Sequence, residues 1–327
     1  MPPTTSPSPA IAASKPQCRV CNSSRIEEKG AKRGRFIAAE FRFYQCRECR
    51  FLFVEPVTDF RIYDDAYYAG QGPDPLVNYH EEYSNYRSTS RRFEFADLVR
   101  FAQEHLSDSA SAGRSGQNCV TWLDFGCGAG GLLKYLRDLG GLVCGGVHMP
   151  LHPVGHDVGS YSERLKNDDD FEILGWDELH KTSAARFDII SCIEVIEHIP
   201  YPRAVIDLLA CSLKPGGLLI LTTGNLDCPL ARLQGIHFAY CIPEIHVSLF
   251  NPSLLSRLYR EVGLTPILMR HDGIIKFRFL KNLARIPGGK VLAWLAFFPP
   301  ALRFADYFFG VSKMPFAIKV ISTATPR

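Results

Sequence analysis

Four groups of residues in this 327-residue chain have the types and spacing to do chemistry. Cys18-Arg-Val-Cys21 and Cys46-Arg-Glu-Cys49 are two knuckles with 24 residues between them, each able to turn two thiolates toward one tetrahedral ion. Such a set predicts a structural Zn²⁺, because four thiolates leave no open position for catalysis. The residue after the second cysteine of each pair must adopt positive φ, which Asn22 tolerates and Arg50 tolerates poorly. The second group is Asp124-Phe-Gly126-Cys127-Gly128-Ala-Gly130-Gly131, which follows the apolar run 120–123. Its glycines let the backbone lie against a ligand, and the helix they open offers unpaired N–H donors. Gly126, Gly128 and Gly131 also satisfy the dinucleotide fingerprint. A carboxylate at the end of the strand, however, gains nothing from a pyrophosphate and suits an ammonium group. The third group is Glu194-x-x-Glu197-His198 with the distant His246, whose carboxylates and imidazoles can move a proton or hold Mg²⁺, Mn²⁺ or Zn²⁺. The fourth, Trp176-Asp177, sets an aromatic ring beside a carboxylate, which local chemistry alone reads as a core Trp and a helix-start Asp.

These residues need elements to carry them. Apolar runs read as strands at 120–124, 142–147, 171–174, 187–193, 217–223, 264–269 and 316–322, with helices at 130–139, 202–213 and 252–262 among those between them. Regular alternation of this kind implies a parallel sheet covered on both faces. The predicted fold is α/β: a Rossmann-like, seven-stranded, mostly parallel sheet with a small N-terminal zinc-ribbon-like module and a helical insertion before the last strand. The boundaries follow composition. Residues 1–16 form a disordered Pro/Ser/Thr/Ala tail, 17–59 the zinc module with short strands near 35–37 and 41–44, and 60–117 a helical connector with an amphipathic helix at 90–105. Residues 118–327 form the main domain, within which 274–312 is the insertion.

A net charge of +3 imposes no polyanionic partner. Residues 1–61 hold 11 Lys and Arg against 6 Asp and Glu, including Lys32-Arg33-Gly34-Arg35, which reads as a solvated hairpin tip before it reads as a phosphate site. Scattered cysteines among the 11 imply a reducing compartment, and neither a secretory leader nor a membrane span is expected. The chain is therefore expected to be cytoplasmic. The insertion carries more large apolar side chains than a water-facing loop tolerates, together with Lys281, Arg285, Lys290 and Arg303. It could cover the acceptor, pack into the core or another subunit, or rest on a lipid surface.

The glycine loop, the block Phe187-Asp-Ile-Ile-Ser-Cys-Ile-Glu194-Val-Ile-Glu197-His198-Ile-Pro-Tyr-Pro and Leu213-Lys-Pro-Gly-Gly-Leu-Leu-Ile-Leu-Thr-Thr-Gly-Asn225 together resemble class I S-adenosylmethionine-dependent methyltransferases. Upstream, Cys46-Arg-Glu-Cys-Arg-Phe-Leu-Phe-Val-Glu-Pro resembles the zinc module fused to sugar C-methyltransferases, and His246-Val-Ser-Leu-Phe-Asn-Pro resembles those proteins' segment after strand five. The resemblance implies S-adenosyl-L-methionine bound by Asp124, Gly126, Cys127, Gly128, Gly130, His148, Trp176, Asp177 and Ile193. It also implies structural zinc on Cys18, Cys21, Cys46 and Cys49, and a small-molecule acceptor such as a sugar, a lipid-linked intermediate or a secondary metabolite. His246 matches the family's general base, with Glu197 and His198 shaping the acceptor pocket. A further resemblance, to quinone-biosynthesis O-methyltransferases and small-RNA 2′-O-methyltransferases, implies a divalent metal at Glu194, Glu197 and His198, joined by His246. O- and C-methylation both stay open, and so does oligomeric state. One departure stands out. The family closes its second strand with an acid that accepts bonds from both ribose hydroxyls, whereas here the run 142–147 is followed by His148, which offers one acceptor at most. Asp157, in the loop beyond, could swing in as a substitute. His148 also motivates a rival reading, a non-catalytic zinc-containing binding protein, and the basic ribbon motivates a nucleic-acid methyltransferase.

Overall fold

The computed structural model describes residues 16–58, 62–73, 78–110, 119–181, 185–268, 299–309 and 315–319. Most of the insertion 274–312, including Phe297 and Phe298, lies outside them. So does the expected tail up to residue 15.

The N-terminal module is an antiparallel sheet of β1 (Ile26–Arg33), β2 (Glu40–Cys46) and β3 (Leu52–Glu55). The strand expected near 35–37 is instead part of the turn between β1 and β2, where Gly34 sits against Phe41 and Glu244. Asn22 and Arg50 adopt φ of 57° and 61°, as the knuckle geometry requires. The connector supplies α1 (Tyr79–Asn85), capped by Asn78, and α2 (Arg91–Ala110).

The main sheet is built from β4 (Val120–Phe125), β5 (Gly141–Cys144), β6 (Val147–His156), β7 (Glu172–Ile173), β8 (Phe187–Ile193) and β9 (Leu213–Thr222). A further short strand, β10 (Ser248–Leu249), leaves this sheet for the module, where it pairs with β3. The main sheet is completed by β11 (Leu264–Leu268) and β12 (Pro315–Lys319). Its order is β11-β12-β9-β8-β4-β6-β5, with β7 beside β6, and β6, β4, β8 and β9 run parallel.

Here one expectation is corrected. The single strand expected at 142–147 is a hairpin, β5 and β6, turning on Gly145 and Gly146, both at positive φ (58° and 82°). A two-residue glycine turn is a standard antiparallel reversal, and it adds a strand to the seven expected. The strand that runs beside β4 is therefore the later part of β6, Leu151 to His156, despite Pro150 and Pro153.

Helices cover both faces: α3 (Gly131–Leu139), α4 (Tyr161–Asn167), α5 (Trp176–Lys181), α6 (Pro202–Ser212), α7 (Pro229–Gln234), α8 (Pro252–Glu261) and α9 (Pro299–Phe309). Pro252 opens α8 behind an Asn251 cap whose side chain accepts from Leu254 N at 2.9 Å. Along β9, Leu218 and Ile220 join a cluster with Trp122, Phe95 and Leu136, while Leu219 and Leu221 join a cluster with Leu209, Leu255 and Phe250. Period-two alternation thus splits the core across the sheet. The second cluster also contains Cys18, Cys46, Phe51 and Phe53, and the Phe51 and Phe250 rings lie 5.5 Å apart. Burying each such ring stabilises by about 2–3 kcal/mol, so the module is docked by packing as well as by strand pairing. Among the described residues no helix is long and apolar enough to cross a membrane.

Candidate active site

The four module cysteines come together. The Cys18 and Cys49 sulfurs are 3.5 Å apart, those of Cys21 and Cys46 3.6 Å, and all four lie within 4.8 Å of one another. Tetrahedral Zn–S bonds of about 2.3 Å put sulfurs roughly 3.8 Å apart, so the set fits one zinc ion.

The glycine loop crosses the end of the sheet between β4 and α3, with Gly126, Gly128 and Gly130 all at positive φ. It is tied to the end of β6, since the amides of Gly126 and Cys127 both donate to His156 O, at 2.6 and 3.0 Å. Any side chain at Gly126 would strike Val195. Beside the loop lies a cleft lined by Tyr79, Glu82, Arg91, Asp124, Ile193 and Glu194, among others. Asp124 is buried there and accepts from Ser191 Oγ at 2.7 Å, while burial pushes its carboxyl up to about 7. A buried acid in that state binds a cation readily, because the cation returns the charge partner that burial removed.

Four lining residues, Tyr79, Glu82, Arg91 and Phe95, come from the connector, and no sequence motif marked the first three as part of a site. Arg91 pairs with Glu82 at 3.3 Å and with Glu94 at 3.5 Å, so α1 and the start of α2 bring a cation to the cleft that Asp124 lines. The only local hint was the cap of α1 followed by a polar, tyrosine-rich stretch.

His148 does not reach this site. It is exposed, at the start of β6 opposite Val143, eight residues from the strand's end. At about 3.3 Å per residue that is roughly 26 Å from the glycine loop. The expectation of a ribose contact at His148 is corrected for a geometric reason, the β5–β6 reversal. The residue just beyond β6 is Asp157, whose Oδ2 accepts from Gly128 N at 2.9 Å and whose Oδ1 accepts from Gly159 N at 2.6 Å. An acid therefore does stand where β6 ends, and the argument for a degenerate cofactor site loses its ground. Trp176 opens α5 with its ring half exposed, 5.8 Å from the His156 ring, and Asp177 beside it is exposed.

On the other side of β8, Glu197, His198 and His246 each bring a ligand atom within 4.8 Å of the others. Glu197 and His198 sit on a 3₁₀ turn, Ile196–His198, and His246 precedes β10. His246 Nδ1 lies 2.5 Å from Tyr240 O and His198 Nδ1 lies 3.0 Å from Ile245 O. A carbonyl only accepts, so the His246 ring carries hydrogen on Nδ1, while His198 Nδ1 also meets the Tyr63 hydroxyl at 2.8 Å. Burial and the neighbouring His198 push His246 down to about 3, keeping it neutral. Burial pushes Glu197 up to about 7 against the bond from Tyr240, and its Oε2 is buried without a partner. Sequence reasoning missed Tyr240. Its hydroxyl is 2.8 Å from Glu194 Oε2 and also within hydrogen-bond reach of Glu197 Oε1. The phenol thus bridges the two carboxylates, with Thr223 Oγ1 3.2 Å from the same oxygen.

A family model described as a methyltransferase domain matches residues 86–268. Among curated relatives, the ubiquinone biosynthesis O-methyltransferase of Burkholderia pseudomallei is 28% identical over 149 residues, covering 43% of this chain and 63% of that protein. The enzyme of the same name from Idiomarina loihiensis is 31% identical over 167 residues, covering 47% and 64%. The match thus spans a little under two thirds of each of these relatives. Among solved structures, a putative sarcosine dimethylglycine methyltransferase from Galdieria sulphuraria is 17% identical, covering 67% of this chain and 84% of that one, with a TM-score of 0.38. The plantazolicin methyltransferase BamL is 14% identical, covering 74% and 89%, with a TM-score of 0.42.

Proposed function

The chain belongs to the methyltransferase-domain family, and from that membership we propose that it transfers a methyl group from S-adenosylmethionine to a hydroxyl of a small-molecule acceptor. The O-methyl choice follows the names of the curated relatives. The observation that carries the reading is the cluster of Glu197, His198 and His246 beside a glycine loop that starts from a buried acid.

In this reading the cofactor's ammonium sits on Asp124 and its carboxylate on Arg91, with Gly126, Cys127, Gly128, Gly130 and Ile193 forming the walls. Asp157 accepts from the ribose hydroxyls, which must displace the Gly128 amide from Oδ2 or share that oxygen with it. Trp176 and Asp177 border the adenine. A bound ammonium draws Asp124 into its charged form, so protonation and cofactor occupancy are linked.

Methyl transfer is an in-line displacement at an activated carbon, and the protein's task is alignment and removal of the acceptor proton. Neutral His246 and the raised Glu197 are the two bases in reach of that proton, and His198 orients beside them. The same residues fit a divalent cation: the orphaned Glu197 oxygen lacks a partner, and His246 anchors its N–H on a backbone carbonyl, as metal-bound histidines do. Held by Glu197, His198 and His246, with Glu194 adjacent, such an ion would lower the acceptor hydroxyl's pKa.

The test is incubation of the zinc-loaded protein with deuteromethyl S-adenosylmethionine and a metabolite extract, followed by mass spectrometry. Labelled methyl ethers should appear with wild type and fall at least about a hundredfold with Glu197→Gln. Label on carbon, or label undiminished in the variant, overturns the assignment.

A further inference from the structure

The segment that carries Tyr240 and His246 is held on two sides by different parts of the chain. On one side it grips the main domain, where Val247 N donates to Glu197 O at 2.9 Å and Ser248 Oγ donates to Ile199 O at 2.6 Å. On the other side it belongs to the zinc module. β10 pairs with β3, setting Ser248 opposite Phe53, and Val54 N donates to Val247 O at 3.1 Å. Lys32 Nζ, on β1, donates to Cys241 O at 2.7 Å. Between them Glu244, 1% exposed, turns its carboxylate into the module. Its Oε1 accepts the backbone N–H of Arg35 and, at 3.1 Å, of Phe36, while its own carbonyl accepts from Thr58 Oγ1. The fit is close, since a Cβ on Gly34 would lie 2.8 Å from Glu244 Oε1.

A carboxylate buried this deeply is costly unless its oxygens are paired, and here one oxygen pairs with two main-chain donors of the β1–β2 turn. That turn is in register with β2, and β2 ends on the ligand Cys46. The four-cysteine site therefore has a mechanical path to the residues of the acceptor side: from the knuckles through β2 and the turn to Glu244, and two residues on to His246. We infer that the module is a positioning element for the acceptor site, with Glu244 as its positioning residue, and that it has no part in cofactor binding. The inference rests on the proposed assignment of Glu197, His198 and His246 to the acceptor side. Asp124, Arg91 and Asp157 stand on other elements, β4, α2 and the end of β6, none of which this path includes.

The test compares wild type, Glu244→Ala and Glu244→Gln in the full zinc-loaded chain by three measurements: amide hydrogen exchange over 246–249, Mn²⁺ affinity and S-adenosylhomocysteine affinity. Alanine removes the acceptor of both turn N–H groups, whereas the glutamine carbonyl keeps it. Exchange in Glu244→Ala should accelerate at least about tenfold and Mn²⁺ binding weaken at least about tenfold, with S-adenosylhomocysteine binding within about twofold of wild type. Glu244→Gln should restore both. If Glu244→Ala does not fold, Lys32→Met, which removes the bond to Cys241 O and the ammonium over the Phe43 ring, should show the same pattern at smaller amplitude. Unchanged exchange over 246–249 in the variants, failure of glutamine to rescue, or equal loss of S-adenosylhomocysteine binding overturns the inference. Should wild type take up no Mn²⁺, the metal reading of the acceptor site falls, while the exchange measurement still decides the positioning role.

Discussion

Asp124→Asn should make the protein more stable and a worse binder of cofactor at the same time. Burial pushes the Asp124 carboxyl from the ordinary 3.8 up to about 7. A carboxyl raised in the folded state binds more protons there than in the unfolded chain, so stability falls as pH rises between the two values and the whole penalty is present above 7. The difference of about 3 units is worth roughly 4 kcal/mol at pH 8, roughly 2 kcal/mol at pH 5 and nothing by pH 3. Asparagine is nearly isosteric, carries no charge and can still accept from Ser191 Oγ, so it removes the penalty and keeps the bond. Relaxation around the site trims the gain, and about 1–3 kcal/mol at pH 8 corresponds to a Tm rise of roughly 2–8 °C, shrinking toward acid pH. Thermal scans of wild type and variant from pH 3 to 8 check this. The same change deletes the charge partner of the ammonium, so S-adenosylhomocysteine should bind about 30–1000-fold more weakly by calorimetry. A variant less stable at pH 8, or a stability difference that does not change with pH, refutes the reasoning.

Asp157→Ala should weaken S-adenosylhomocysteine binding by about tenfold or more, while His148→Ala leaves it unchanged, a contrast calorimetry resolves. Cys46→Ser should lose its zinc by metal analysis, and unchanged content would mean a wrong ligand set. Because burial raises Glu197 to about 7 and lowers His246 to about 3, Mn²⁺ uptake should climb as pH rises through neutrality. Uptake already complete at pH 5 would contradict a raised Glu197 among the ligands. Gly126→Val should abolish cofactor binding and destabilise the fold, since its side chain would need positive φ and meet Val195 at 2.3 Å from Cβ.

What was legible in the sequence is local. β8 spans residues 187–193 as expected, and Asn251-Pro252 starts α8 where capping chemistry says it must. Asn22 and Arg50 take the φ their knuckles demand. The error at 142–147 was also local and avoidable, because Gly145-Gly146 between two apolar runs is a hairpin signal that a window search for one strand overrides. That single slip displaced the end of the strand by nine residues and put His148 in the place of Asp157. The rest was out of reach for a different reason. Arg91, Glu82 and Tyr240 gain meaning only when separate elements fold over the sheet, and Glu244 only when a turn more than 200 residues away lies on it. A lone Glu or Tyr in a polar loop carries no periodicity or spacing by which to find it.

The most direct test is a crystal structure of the zinc-loaded chain with S-adenosylhomocysteine. The amino group should lie within hydrogen-bond reach of Asp124, the carboxylate should pair with Arg91, and both ribose hydroxyls should reach Asp157, with Glu197 and His246 facing the sulfur across an open acceptor space. A ligand whose ribose turns toward the β5–β6 hairpin and His148, or a glycine loop that stays empty at saturating ligand, would contradict the account.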